Sequence, residues 1–280
     1  MELVPTPTFK GKTVLITGAG RGIGKRLALG FAAAGARVGL LSRSLAELEL
    51  ARLEIQHSGS DALTLCADVR NYRQLYAAMR ELEKRFGTAD VLVAAAAVHG
   101  AIGPFAECDP SRWLEALEVN IAGVANACRA VLPGMLARRS GKIIVLAGGG
   151  TSHPRPNFSA YAASKAAVAR LVETLAVELR DYNVQINCMS PGGTYTHMTD
   201  EILQAGRKAG DKEIEQAYQV RLTGGIQPDR QIQLALFLAS QRSNHISGKI
   251  IHINDDWSRL EHANIHPEIY TLRRVQKVNG

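Results

Sequence analysis

Seven short apolar runs recur along this 280-residue chain, separated by segments with helical periodicity. The runs lie at 12–16, 36–41, 62–66, 90–93, 142–146, 184–188 and 249–253, the fourth continuing into four alanines at 94–97. Between them, apolar residues return every three or four positions: Ile23, Leu27, Phe31 and Ala34, then Leu45, Leu48, Ala51 and Ile55, then Leu75, Met79 and Leu82. Two longer helices are predicted from about 111 to 138 and from about 159 to 181. Short apolar strands alternating with helices imply a parallel sheet covered on both faces. The predicted fold is therefore α/β, a doubly wound parallel sheet of seven strands in a single domain over 1–254. Residues 255–280 form a C-terminal extension, expected to pack on the domain or on a neighbouring subunit. In such sheets ligands bind beyond the carboxyl ends of the strands.

The first strand runs into Thr17-Gly18-Ala19-Gly20-Arg21-Gly22-Ile23-Gly24, and a helix follows. Strand, glycine turn and helix make a phosphate site. The glycines let the backbone approach a pyrophosphate, and the helix N-terminus supplies amide donors and partial positive charge. Glycines 18, 22 and 24 are spaced four and two apart, unlike the two-and-three spacing of the usual dinucleotide fingerprint.

A second motif opens the 159–181 helix. Tyr161 and Lys165 stand four residues apart, which places a phenol and an ammonium on one helix face. A phenol near pKa ~10 is a poor acid or base at neutral pH, and a neighbouring cation favours its phenolate.

Composition narrows the class. Hydrophobic residues at 46% and charged residues at 21% are ordinary for a globular chain. Apolar stretches such as 91–98 are too short to span a bilayer, and residues 1–7 lack the basic start and apolar core of a leader. No membrane association is expected. Cys66, Cys108, Cys128 and Cys188 show neither metal nor redox spacing, so no metal is expected and a reducing, cytoplasmic setting is. The net charge of +7 is dispersed, without the basic run a nucleic-acid binder shows, and serves capture of an anionic cofactor or substrate.

Together these motifs resemble the short-chain dehydrogenase/reductase family, in its single-domain branch with a Thr-Gly-x-x-x-Gly-x-Gly loop, over roughly residues 8–254. The resemblance implies a Rossmann fold and hydride transfer between a nicotinamide and a carbonyl or secondary alcohol. It implies that Gly18, Arg21, Gly22, Ile23 and Gly24 cradle the cofactor, that Asp68 and Val69 contact the adenine, and that Ala95 lies along it. Pro191, Gly192 and Thr196 would face the nicotinamide and its carboxamide. Tyr161 matches the catalytic acid/base, Lys165 its partner that also binds the ribose, and Asn120 the residue holding a relay water. The region 196–223 matches a substrate lid, with His153, Phe158, His197 and Met198 as pocket candidates. Dimers or tetramers through the two long helices are the family's common assembly.

Cofactor choice falls to the end of the second strand, where an acidic residue would favour NAD and an arginine accommodates a 2′-phosphate. Ser42 holds the usual acidic position, Arg43 stands beside it, and Arg21 adds a second cation, so NADP(H) is expected over NAD. Two departures stand out. The family's substrate-binding serine, thirteen residues before the tyrosine, is Gly148 here, which leaves Thr151 as the favoured substitute donor, ahead of Ser152. Ala94–Ala97 replaces the family's Asn-Asn-Ala-Gly, removing sheet ties and crowding the cofactor approach at Ala97. The expected activity is an NADP(H)-dependent oxidoreductase for a bulky polar or sugar-like small molecule. The alternative is a catalytically impaired member that binds NADP(H) as a sensor or assembly partner.

Overall fold

The computed structural model describes residues 8–273. The leader reading at 1–7 and the end of the extension, 274–280, lie outside the described residues. In chain order the elements are β1 (Thr13–Thr17), α1 (Gly22–Ala33), β2 (Arg37–Ser42), α2 (Leu45–His57), β3 (Ala62–Cys66), α3 (Tyr72–Phe86) and β4 (Val91–Ala94). They continue with α4 (Pro110–Leu117), α5 (Gly123–Ala137), β5 (Gly141–Leu146), α6 (Ser159–Glu178) and β6 (Val184–Ser190). The last are α7 (His197–Ala205), α8 (Asp211–Thr223), α9 (Pro228–Ala239), β7 (Ile250–His252) and α10 (Trp257–Leu260).

All seven strands are parallel, in the order β3-β2-β1-β4-β5-β6-β7. The chain winds outward from β1 to β3, then returns to the other side of β1 at β4. That reversal leaves a crevice beyond the carboxyl ends of β1 and β4, where Thr17 is in register with both Leu41 and Ala94. Alternate strand residues feed two cores. Val14, Ile16, Val38 and Leu40 meet Leu27 and Phe31 of α1, Leu48 and Ile55 of α2, and Leu234 and Phe237 of α9. Leu15, Leu41, Leu92 and Val145 meet Leu75 and Leu82 of α3, Val131 of α5, and Val168 and Val172 of α6. Burial on both faces explains why the strands read as continuous apolar runs.

Helix starts divide into two kinds. Ser44 Oγ accepts from Glu47 N at 3.3 Å, and Asn71 Oδ1 accepts from Gln74 N at 3.2 Å, so α2 and α3 are capped by their own side chains. By contrast α1 begins after Arg21 with no side-chain cap and no acid in its first turn. Its first amides remain available to an anion.

The single helix expected over 111–138 is divided. Residues 118–122 form a π turn between α4 and α5, and Asn120 lies inside it, fully buried. The whole run Pro110–Ala137 is long and apolar enough to cross a membrane, yet half of its most apolar window is buried inside the fold. Its contacts are with α3, α6, β4 and β5, which account for that apolarity.

The C-terminal extension lies on its own domain as far as residue 273. Trp257 packs on Phe237 with ring centroids 5.5 Å apart. Lys249 Nζ donates to the carbonyls of His266, Pro267 and Ile269 at 3.0, 2.8 and 2.9 Å. Ile250 N donates to Tyr270 O at 2.7 Å, and the buried Glu173 receives Leu272 N at 2.7 Å together with Arg170 and Arg273.

Candidate active site

A cleft of about 1320 Å³ follows the carboxyl ends of the strands, large enough for a dinucleotide and a substrate side by side. Its floor is the glycine loop. A Cβ on Gly24 would lie 2.2 Å from Gly18 O, and one on Gly18 would lie 2.8 Å from Ala96 Cα. Gly18 and Gly22 also take positive φ, at 68° and 58°. Glycine at 18 and 24 therefore lets the loop fold tightly against itself and the end of β4, and the first amides of α1 are left uncapped beside the cleft. A Cβ on Gly22 would lie 3.4 Å from Thr196 Cγ2, so Thr196 faces the loop across the cleft. Gly192, with φ 72°, is closed in by Ile226 and Ile253, while Pro191 O accepts from the buried Gln231 Nε2 at 3.0 Å. Ile23, Ala95, Pro191 and Gly192 all line the cleft.

Alanines at 94–97 do not leave the sheet untied. Thr17 Oγ1 accepts from the amides of Ala95 and Ala96 at 3.1 and 3.2 Å, so the last residue of β1 holds the end of β4. Ala97 lines the cleft without taking a left-handed conformation.

At the distal end, Ser42 and Arg43 border the cleft together with Arg21. The sequence reading missed Glu47, which pairs with Arg21 at 3.5 Å and would lie 3.1 Å from a Cβ on Gly20. Asp68 is held by Arg70 at 2.6 Å, and that hydrogen bond keeps its carboxyl below the usual carboxylate range. Val69 is buried against Gly123.

The opposite wall carries Tyr161 and Lys165, both buried. Lys165 Nζ donates to Leu146 O at 2.7 Å, and burial lowers its pKa to about 8. Its ammonium stands 5.5 Å from the Tyr161 ring centroid. Burial raises the Tyr161 pKa, and the cation opposing that rise is Arg155, whose guanidinium stands 5.4 Å from the ring centroid. Arg155 and Lys165 thus stand at like distances from the phenol ring. Asn120 Oδ1 accepts from Val98 N at 2.9 Å, while its Nδ2 donates to Val98 O and Ser164 Oγ, both at 2.9 Å. The side chain thus fastens the loop after β4 to α6.

Gly148 is required by its neighbour, because a Cβ there would lie 2.4 Å from the Tyr161 hydroxyl oxygen. The expectation for Thr151 needs correction. Its hydroxyl donates to Gly148 O at 2.7 Å and accepts from Gly148 N at 3.1 Å, so it clamps the 148–151 turn and its proton is already committed. Ser152 is exposed on the cleft lining. His153, His197 and Met198 line the cleft as anticipated, whereas Phe158 is fully buried behind it, beneath Arg155 at 4.0 Å.

Four further residues escaped the sequence reading. His99, on the loop after β4, is buried with its ring 5.0 Å from that of Tyr161. Its Nδ1 lies 2.9 Å from Glu201 Oε2 on α7. Arg155 makes a two-pronged pair with Glu213 of α8, at 2.9 and 2.7 Å. The only local signal was His197 and Glu201, four apart on one helical face; His99 and Arg155 gave none, since their partners are remote in sequence.

Comparison with known proteins identifies the family. The family described as short chain dehydrogenase matches residues 12–207. Oxidoreductase UcpA of Escherichia coli is 34% identical over 241 residues, covering 85% of this chain and 91% of the relative. A gluconate 5-dehydrogenase from Burkholderia cenocepacia, solved with NADP and tartrate, is 31% identical with a TM-score of 0.78, covering 88% of this chain and 94% of that one. NAD+-bound xylitol dehydrogenase is 26% identical with a TM-score of 0.81, covering 88% and 98%. The chain belongs to the short-chain dehydrogenase/reductase family. Within it, the protein is an NAD(P)-dependent oxidoreductase acting on alcohol or carbonyl groups.

Proposed function

We propose that this enzyme uses NADP(H) and interconverts a polar, sugar-like carbonyl compound and its secondary alcohol, with Tyr161 exchanging the proton at the substrate oxygen. When bound, the nicotinamide supplies or removes the hydride at the reacting carbon. The observation that carries the reading is the burial of the Tyr161 hydroxyl against the side-chain-free Gly148, on the wall facing the glycine cradle. An acid/base is most effective where its pKa is drawn toward the working pH, and Arg155 and Lys165 are the cations placed to do so once a ligand changes the dielectric. Proton return runs through Lys165 and a water held beside Asn120. The cradle of Gly18, Arg21, Gly22, Ile23 and Gly24 holds the pyrophosphate. Asp68, Val69 and Ala95 flank the adenosine half, and Pro191, Gly192 and Thr196 the nicotinamide half.

Arg43 and Arg21 beside Ser42 support NADP(H), as does the NADP complex of the gluconate 5-dehydrogenase relative. A polar substrate is supported by the lining of His99, His153, Arg155, Glu201 and Glu213, and by the gluconate named for that relative. Four free thiols favour a reducing, cytoplasmic setting. A dimer or tetramer through α4–α5 and α6 is supported by exposed Leu114 and Val177 on those helices.

Tyr161→Phe should lower kcat by about 10³-fold with NADPH affinity unchanged, measured by steady-state kinetics and fluorescence titration. Retained turnover would remove Tyr161 from this role. The side-chain-free Gly148 and the clamped Thr151 favour a second reading, a cofactor-binding member with impaired catalysis. NADP(H) binding without turnover across a broad carbonyl and alcohol panel would establish it.

A further inference from the structure

Among the polar groups that line the substrate end of the cleft and that the proton exchange at Tyr161 does not use, His99 is the most deeply held. His99 has a side chain only 4% exposed, yet it lines the cleft. Its backbone is fixed on both sides. Val98 is bonded twice to Asn120, and Gly100, with φ 72°, is packed so that a Cβ would lie 2.7 Å from Ala116 Cβ. The ring is wedged edge-on between Phe158 and Tyr161, at 5.4 and 5.0 Å. Its Nδ1 is engaged by Glu201, and Nε2 has no protein partner among the described residues.

The groups facing this imidazole come from four elements. Glu201 and His197 lie on α7, Arg155 on the loop before α6, Glu213 on α8, and Tyr161 on α6. Burial lowers the His99 pKa, with Arg155 acting the same way against the opposing pull of Glu201 and Glu213. Burial pushes Glu201 up, but the hydrogen bond from His99 and the nearby charges of His99, His197 and Arg21 together outweigh it, and the carboxyl stays low. A neutral imidazole beside a carboxylate places its one proton on Nδ1, which donates to Glu201. Nε2 is then a hydrogen-bond acceptor, unable to donate, on a ring that lines the cleft 5.0 Å from the Tyr161 ring.

We propose that His99, oriented by Glu201, accepts at Nε2 a hydrogen bond from a substrate hydroxyl on the carbon next to the reacting one, so that the favoured substrates are α-hydroxy ketones and vicinal diols. This rests on the Tyr161 reading of the site. Position 148 has no side chain to hold the reacting oxygen; His99 grasps its neighbour, and substrate selection moves by one carbon. Glu201 acts as a positioning residue: it fixes the tautomer and links α7, the lid helix, to the occupied site.

The test compares the affinities of 2-hydroxycyclohexanone and cyclohexanone for the protein saturated with NADP+, by ligand-observed NMR titration. Wild type should favour the hydroxy ketone by about tenfold, the size of one well-placed hydrogen bond. His99→Phe should erase that preference, the ratio of the two affinities falling to about one. Glu201→Leu should erase it too, and Glu201→Gln, whose amide oxygen still accepts from Nδ1–H, should retain it. A wild-type protein with no preference, or one binding neither ketone, would overturn the proposal, as would a preference that survives in His99→Phe. Turnover of both ketones with NADPH is measured in parallel. A hydroxyl preference without any turnover refutes the hydride reading and leaves the His99 contact standing; turnover without preference refutes His99 alone.

Discussion

The glycine cradle and the Tyr161 wall face each other across one cleft but are built in opposite ways. The cradle is backbone: what it offers a ligand is the absence of side chains at Gly18, Gly22 and Gly24 and the uncapped amides of α1. The wall is side chains, and two of its polar groups are held by partners far away in sequence, His99 by Glu201 and Arg155 by Glu213. A backbone site tolerates almost no substitution and recognises a constant ligand. A side-chain site is re-specified one residue at a time, which is how a single fold serves many substrates.

The sharpest way to break this contrast is at the cradle. Gly24→Ala puts a methyl group on Gly18 O, and NADPH affinity should fall by about 100-fold, with a lowered melting temperature, in fluorescence titrations and thermal melts. On the wall, Gly148→Ala displaces the Tyr161 hydroxyl; kcat should fall about tenfold with cofactor affinity unchanged, a split the cradle variant cannot show. At the distal end, Arg43→Ala should weaken NADPH about tenfold and leave NADH alone. Glu47→Gln, which frees Arg21, should strengthen NADPH by about two- to threefold. Equal effects on the two cofactors would show that neither residue reads the 2′-phosphate.

The smallest effect concerns β5, the strand that carries the wall at its other end. Lys142 is buried there with one hydrogen bond, to Ser243 Oγ at 3.3 Å, and burial lowers its pKa from 10.5 to about 7. Between those values the unfolded chain holds a proton that the folded one lacks, so stability rises with pH across that window and is flat below it. Lys142→Met should flatten the rise and increase the melting temperature at pH 7 by a few degrees, read by calorimetry across pH. An unchanged pH slope would assign it to Lys165, whose lowered pKa of about 8 acts in the same direction.

How far the sequence could be read follows the same division. Buried parallel strands leave continuous apolar runs, so all seven were legible, with ends shifted by a residue or two, as at β1, which occupies Thr13–Thr17. The glycine loop was legible because only glycine satisfies its contacts. The π turn at 118–122 was not, because it inserts into a helical pattern without proline and without breaking the apolar period. Thr151 misled for a related reason: a hydroxyl at the right distance along the chain does not show whether a nearby backbone has already claimed it, and Gly148 had. Thr17 was read only as the lead-in to the glycines, although its hydroxyl replaces the sheet tie missing from the alanine run. His99 and Glu201, 102 residues apart, meet only through the fold.

The tail bound to Lys249 has a consequence for how these molecules meet one another. β7 is the last strand of the sheet, only Ile250–His252 in length, and such an edge is a template for pairing with another chain. Tyr270 O takes the outward amide of Ile250, while Lys249 gathers three carbonyls of the same segment onto its ammonium. The extension therefore covers an edge that would otherwise be open to pairing, with a lysine as its fastening. Residues 266–272 thus both cover a sheet edge and, through Tyr270 and Thr271, reach the rim of the cleft.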